Sequence, residues 1–90
     1  MKYIAVIHHD PGSAFGVSFP DFPGCITAGE TFEEARARAA EVLRLCIEEM
    51  HAAGEALPVP STFETVMQDL DFADAVAFFV TVAELATAAG

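Results

Sequence analysis

The sequence predicts an α+β domain: a three-stranded antiparallel meander, then a long crossover helix, a short second helix and a fourth strand. Three observations predict it. Apolar residues alternate with a period of two near both ends of the chain. They recur at three- and four-residue steps across positions 32 to 53. The connections among the first three strand-like runs are brief, as an antiparallel meander requires.

Lys2 to His8 carries β-branched and aromatic residues and reads as the first strand, with Tyr3, Ala5 and Ile7 on one side and Ile4, Val6 and His8 on the other. Asp10-Pro11-Gly12-Ser13 has Pro at the second position and Gly at the third, as a type II turn prefers. Phe15, Val17 and Phe19 then alternate with Gly16 and Ser18, so the second strand turns three large groups to the core. A short third strand is expected over Cys25 to Ala28. Between these strands Pro20 and Pro23 fix φ, and Gly24 and Gly29 stand where a side chain would hinder the turn. The loop around Asp21 and Phe22 has two readings. Phe19 and Phe22 plug the core while the prolines set the turn, or Asp21 and Phe22 face a partner.

Thr31 with Glu34 forms a capping box that starts the long helix, Phe32 to about Ala53. Its apolar stripe runs Phe32, Ala35, Ala39, Val42, Cys46 and Met50, widened by Leu43 and Ile47. Glu34 and Arg38 make an i,i+4 pair worth a few tenths of a kcal/mol. Burying each large apolar side chain contributes roughly 1.5–3 kcal/mol, so packing on the sheet dominates. Gly54 is the expected stop, and Glu55 to Ser61, with Pro58 and Pro60, is extended. Ser61 or Thr62 caps a second helix near Phe63 to Leu70. Ala75 to Leu85 is a strand apolar on both faces, with no wet side expected. Residues 1–85 make one domain and 86–90 a frayed tail. A right-handed crossover that sets the last strand beside the first gives the sheet order 3-2-1-4 with the long helix on one face. The second helix or another copy of the chain should cover the other face.

Ninety residues, 53% of them apolar, suffice for one packed core and argue against disorder. Neither a signal peptide nor a membrane span fits the pattern, so a cytoplasmic protein is expected, with Cys25 and Cys46 as free buried thiols. The formal net charge is −10, from 14 acids against 4 bases. None of the bases follows Arg44, and such a surface repels nucleic acid. A basic protein partner is the sharper alternative to a merely solvated face.

Residues that invite a chemical role do not form one by pattern. His8 and His9 are adjacent in a strand and point to opposite faces, which prevents their sharing a metal. Asp69, Asp71 and Asp74 lack the calcium-loop spacing. Core-facing strand positions are Tyr, Ile, Val and Phe, leaving no ring of acids for a metal-dependent nuclease. No catalytic residue, metal or cofactor is expected.

Residues 19 to 35, Phe-Pro-Asp-Phe-Pro-Gly-Cys-Ile-Thr-Ala-Gly-Glu-Thr-Phe-Glu-Glu-Ala, follow a hairpin and precede a long helix ending near Leu57-Pro58-Val59-Pro60-Ser61. This combination closely resembles the HicB family of bacterial antitoxins, well over roughly residues 1 to 61 and loosely beyond. Pro20, Pro23, Gly24, Gly29, Thr31, Glu34 and Ala35 carry the signature. The resemblance implies a partial ribonuclease-H-like sheet. It also implies a HicA-like toxin as partner, a small basic protein with a double-stranded-RNA-binding fold that cuts messenger RNA using a histidine. The antitoxin would cover that histidine and the RNA-binding face, with Asp21, Phe22, Glu30, Glu48, Glu49 and Glu55 as candidate contacts. Many HicB proteins also carry a C-terminal DNA-binding segment. No basic segment follows the last predicted strand here, so operator binding by this chain alone is not expected. Self-association into a dimer or tetramer is expected. An orphan HicB-like interaction domain without a toxin, or an RNA-binding module, are the alternative functions.

Overall fold

The computed structural model describes residues 2–9, 12–68 and 75–81. Strands β1 (Lys2–His9), β2 (Phe15–Ser18) and β3 (Ile26–Gly29) precede helix α1 (Phe32–Ala52). Helix α2 (Phe63–Met67) and strand β4 (Val76–Thr81) follow. The sheet order is β3-β2-β1-β4, with every neighbouring pair antiparallel. Ile7 stands opposite Val17, Tyr3 opposite Val80 and Val17 opposite Thr27. Because β4 is antiparallel to β1, it is antiparallel to β3 as well, so α1 does not form the parallel crossover to which the handedness rule applies.

The two faces of β1 divide the core. Tyr3, Ala5 and Ile7 pack with Val17, Phe19, Val80 and the buried row of α1. Ile4 and Val6 on the other face pack against Val66 of α2, flanked by Ala75 and Ala77. The short helix therefore supplies the second layer. It does so only in part: Phe79 and Val76 of β4 remain 50% and 52% exposed, contrary to the expected absence of a wet side. The predicted strand residues 82–85, the tail 86–90, the acidic run 69–74 and the turn residues Asp10 and Pro11 lie outside the described residues. Gly12, at φ +80°, has the conformation a type II turn needs at its third position.

Helix α1 begins at the expected Thr31 cap, with the reciprocal bond of the capping box shifted by one residue. Thr31 Oγ1 accepts from the Glu34 N–H at 3.0 Å, and Glu34 Oε1 accepts from the Glu30 N–H at 3.3 Å, one residue before the cap. It ends in a Schellman motif, with the Glu55 N–H on the Met50 carbonyl, the Gly54 N–H on that of His51, and Gly54 at φ +73°.

The rotation of α1 differs from the expected stripe. Ala35, Ala39, Leu43 and Ile47 are its buried row, whereas Val42, Cys46 and Met50 are half-buried and Phe32 is exposed. The cause lies at the first turn. A Cβ on Gly29 would stand 2.4 Å from the Ala35 backbone nitrogen, so the end of β3 and the helix backbone are in direct contact. Small Ala35 and Ala39 permit that approach and turn their own row inward.

Candidate functional site

The loop between β2 and β3 is built from two successive turns. The Phe22 N–H donates to the Phe19 carbonyl at 3.0 Å, and the Cys25 N–H to the Phe22 carbonyl at 2.9 Å. Gly24, the third residue of the second turn, occupies the left-handed region at φ +88°. Phe22 points inward, 4% exposed, with its ring edge-on to Tyr3 at 4.6 Å between centroids. The ring of Phe22 is thus packed in the core, as the first of the two readings of the loop expects.

Asp21 is engaged within the chain. One carboxylate oxygen accepts from the Ser61 N–H at 2.9 Å and the other from the Ser61 hydroxyl. Nearby the Tyr3 hydroxyl donates to the Pro58 carbonyl. These bonds strap the extended segment after α1 alongside the loop. Burial of the phenol, reinforced by the negative charge of Asp21, raises the Tyr3 pKa, so the hydroxyl stays a neutral donor. Neither Ser61 nor Tyr3 stood out in the sequence, because their partners lie 40 and 55 residues away and no local pattern encodes such a pairing.

Strap, loop and the last turns of α1 enclose a groove of about 480 Å³. Cys25, Cys46, Met50 and Pro58 give it an apolar, sulfur-rich lining, and Asp21, Glu49 and Glu55 bring three carboxylates to it. The groove thus gathers four of the six candidate contacts in one place: Asp21, Glu49 and Glu55, with Phe22 as part of the wall. Glu48 is exposed on α1 next to Glu49 but does not line the groove. Glu30 lies beyond the opposite end of the helix, beside Gly12, Ser13 and Ala14. A 21-residue helix is about 30 Å long, so Glu30 and Glu55 do not belong to one small patch.

The groove combines apolar and acidic lining groups. Cys25 is pushed up to about 12, by burial first and then by its hydrogen bond with Cys46, so its thiol is protonated at neutral pH. An apolar floor with carboxylates around it matches a Lys or Arg side chain, which has an apolar stem and a charged head. His9 is taken up in stacking on Phe15, with ring centroids 4.0 Å apart. Among the described residues no group of three His, Cys, Asp or Glu side chains is placed to hold a metal. No helix among them is long and apolar enough to cross a membrane.

Comparison with known proteins places this geometry in a family. Residues 3–89 match the family described as HicB-like antitoxin of bacterial toxin-antitoxin system. Antitoxin HicB 2 of Photorhabdus laumondii is 36% identical over 62 residues, which are 69% of this chain and 44% of that protein. The chain spans about half the length of the curated relatives it matches. The crystal structure of the N-terminal domain of Burkholderia pseudomallei antitoxin HicB superposes with a TM-score of 0.81 at 32% identity, covering 91% of this chain and 98% of that one. A chain of the HicA3 and HicB3 toxin-antitoxin complex gives a TM-score of 0.74 at 28% identity, covering 90% of this chain and 96% of that one. The signature loop, the capped helix, the sheet order and these matches agree, and the chain belongs to the HicB-like antitoxin family of bacterial toxin–antitoxin systems.

Proposed function

We propose that this chain is a non-enzymatic antitoxin that binds and neutralises a small basic HicA-like mRNA interferase in the cytoplasm. The observation that carries the reading is its kinship with a chain of a HicA–HicB complex, joined to a net charge of −10. The groove beside the signature loop is the proposed docking point. There Glu49 and Glu55 meet basic side chains of the toxin, with Asp21 adding negative potential while it remains tied to Ser61. Opposite charge speeds encounter, so the association rate falls as salt is added.

The test is co-expression with a small basic protein encoded beside this gene, followed by co-purification at low salt. Rescue of growth and a stable complex are expected. The double variant Glu49→Lys/Glu55→Lys should slow association at least tenfold while the helix stays folded, since both side chains are exposed. Glu30→Lys, at the far end of α1, should change it much less. If the toxin stays lethal and no complex forms at low salt, the antitoxin reading fails and an orphan HicB-like interaction domain replaces it.

A further inference from the structure

Two thiols 21 positions apart in sequence meet at the wall of the groove. Cys25, just before β3, is buried, and its sulfur lies 3.7 Å from the Val42 carbonyl oxygen of α1. Val42 is one helical turn before Cys46, whose thiol, after burial, is the group that raises the Cys25 pKa. The two sulfurs are unbridged. Cys46 is half-buried and also lines the groove, so a small solute can reach it. We propose that Cys25 and Cys46 are a site of reversible oxidation, at which a peroxide closes an intramolecular disulfide between the loop and α1.

Two thiols and one peroxide balance the reaction. The Cys46 sulfur, as thiolate, attacks a peroxide oxygen and the O–O bond breaks. The departing hydroxide takes up a proton as water and leaves a sulfenic acid on Cys46. The Cys25 sulfur then displaces that hydroxyl: the S–S bond forms, the S–O bond breaks, and the Cys25 proton leaves with the second water. The two cysteines lose two electrons and the peroxide gains them. A dithiol, rather than either cysteine alone, protects the site from further oxidation, because disulfide formation consumes the sulfenic acid before a second peroxide arrives. In the reducing cytoplasm expected for this protein, a thiol–disulfide pair of this kind is transient rather than structural.

The experiment is exposure of the purified chain to millimolar hydrogen peroxide, followed by mass analysis and thiol titration in denaturant. The expected product has lost about 2 Da, shows no titratable thiol and no covalent dimer, and reverts with dithiothreitol. Its melting temperature rises by on the order of 5–10 °C, because the bridge closes a loop of about 20 residues. Cys46→Ser and Cys25→Ser, each compared with its own untreated sample, should show neither the 2 Da loss nor the melting shift. Two thiols persisting after prolonged exposure, stepwise gain of oxygen on Cys46, or a disulfide-linked dimer as the main product would each overturn the proposal.

Discussion

Asp21 shows how a residue that reads as a surface contact becomes a structural tie. Its two carboxylate oxygens take both hydrogen-bond donors of Ser61, one from the backbone and one from the side chain. A charged acceptor makes such bonds worth more than neutral ones, about 1.5–3 kcal/mol each net of the exchange with water. Removing the carboxylate leaves the half-buried Ser61 N–H and hydroxyl without their acceptor and loosens the strap that forms one wall of the groove. Asp21→Ala is expected to cost about 1–3 kcal/mol. By thermal denaturation that is a fall of roughly 5–20 °C for a domain of this size. Asp21→Asn keeps the acceptor oxygen and should lose distinctly less. Equal stability of wild type and Asp21→Ala would show that the strap is not held from this side, and Asp21 would return to the set of exposed contacts.

At the scale of elements, the junction of β3 and α1 determines how the long helix sits on the sheet. Gly29 and Gly24 separate two uses of glycine. Gly29 is buried and its missing side chain makes room for the Ala35 backbone, whereas Gly24 is exposed and needs only its positive φ. A methyl group at Gly29 meets backbone that cannot swing aside, so Gly29→Ala should cost about 2–3 kcal/mol as α1 shifts away from the strand. Gly24→Ala meets nothing within 4 Å and carries only the left-handed penalty of about 1–2 kcal/mol. Urea unfolding of the two variants should rank them in that order, and the reverse order would refute the close-contact explanation. The same junction separates what the sequence revealed from what it did not. Strand periodicity, the Thr31–Glu34 cap and the Gly54 stop are local patterns, and each element starts within a residue of where they point, although α2 ends at Met67 rather than the expected Leu70. Which helical row lies deepest is not local, since Ala35 wins its place by contact with Gly29 and Ala39 follows it one turn on. The candidate site was legible in the same proportion. The acidic residues were visible in the sequence, but the groove that unites Asp21, Glu49 and Glu55 depends on ties between residues 40 and 55 positions apart.

At the scale of the whole molecule, the distribution of charge and of exposed apolar surface separates the partners that fit from those that do not. Three of the four bases are engaged within the chain: Arg38 with Glu34 at 3.3 Å, Arg36 over the Phe78 ring and Lys2 over the Phe79 ring. They form no stripe that would follow a phosphate backbone, which argues against an RNA-binding module. The apolar surface is concentrated elsewhere. Among the described residues β4 ends the sheet and no strand pairs with its outer edge, and Phe79 lies half-exposed with Phe63 of α2 6.1 Å away between ring centroids. This edge strand, among the described residues, is flanked by exposed aromatic rings and carries neither Pro nor charge along Val76 to Thr81, two of the features that keep sheet edges apart. Antiparallel pairing of two β4 strands about a two-fold axis would extend the sheet and cover both Phe79 rings at once. Light scattering at tens of micromolar should therefore give at least twice the 9.5 kDa chain mass. Phe79→Ser removes apolar area at a position that is half in water already, so it should shift the mass toward the monomer and leave the far-ultraviolet circular dichroism unchanged. A monomer mass for the wild-type chain would mean that this edge is not used for self-association. A stable oligomer unaffected by Phe79→Ser would place the self-contact on another surface.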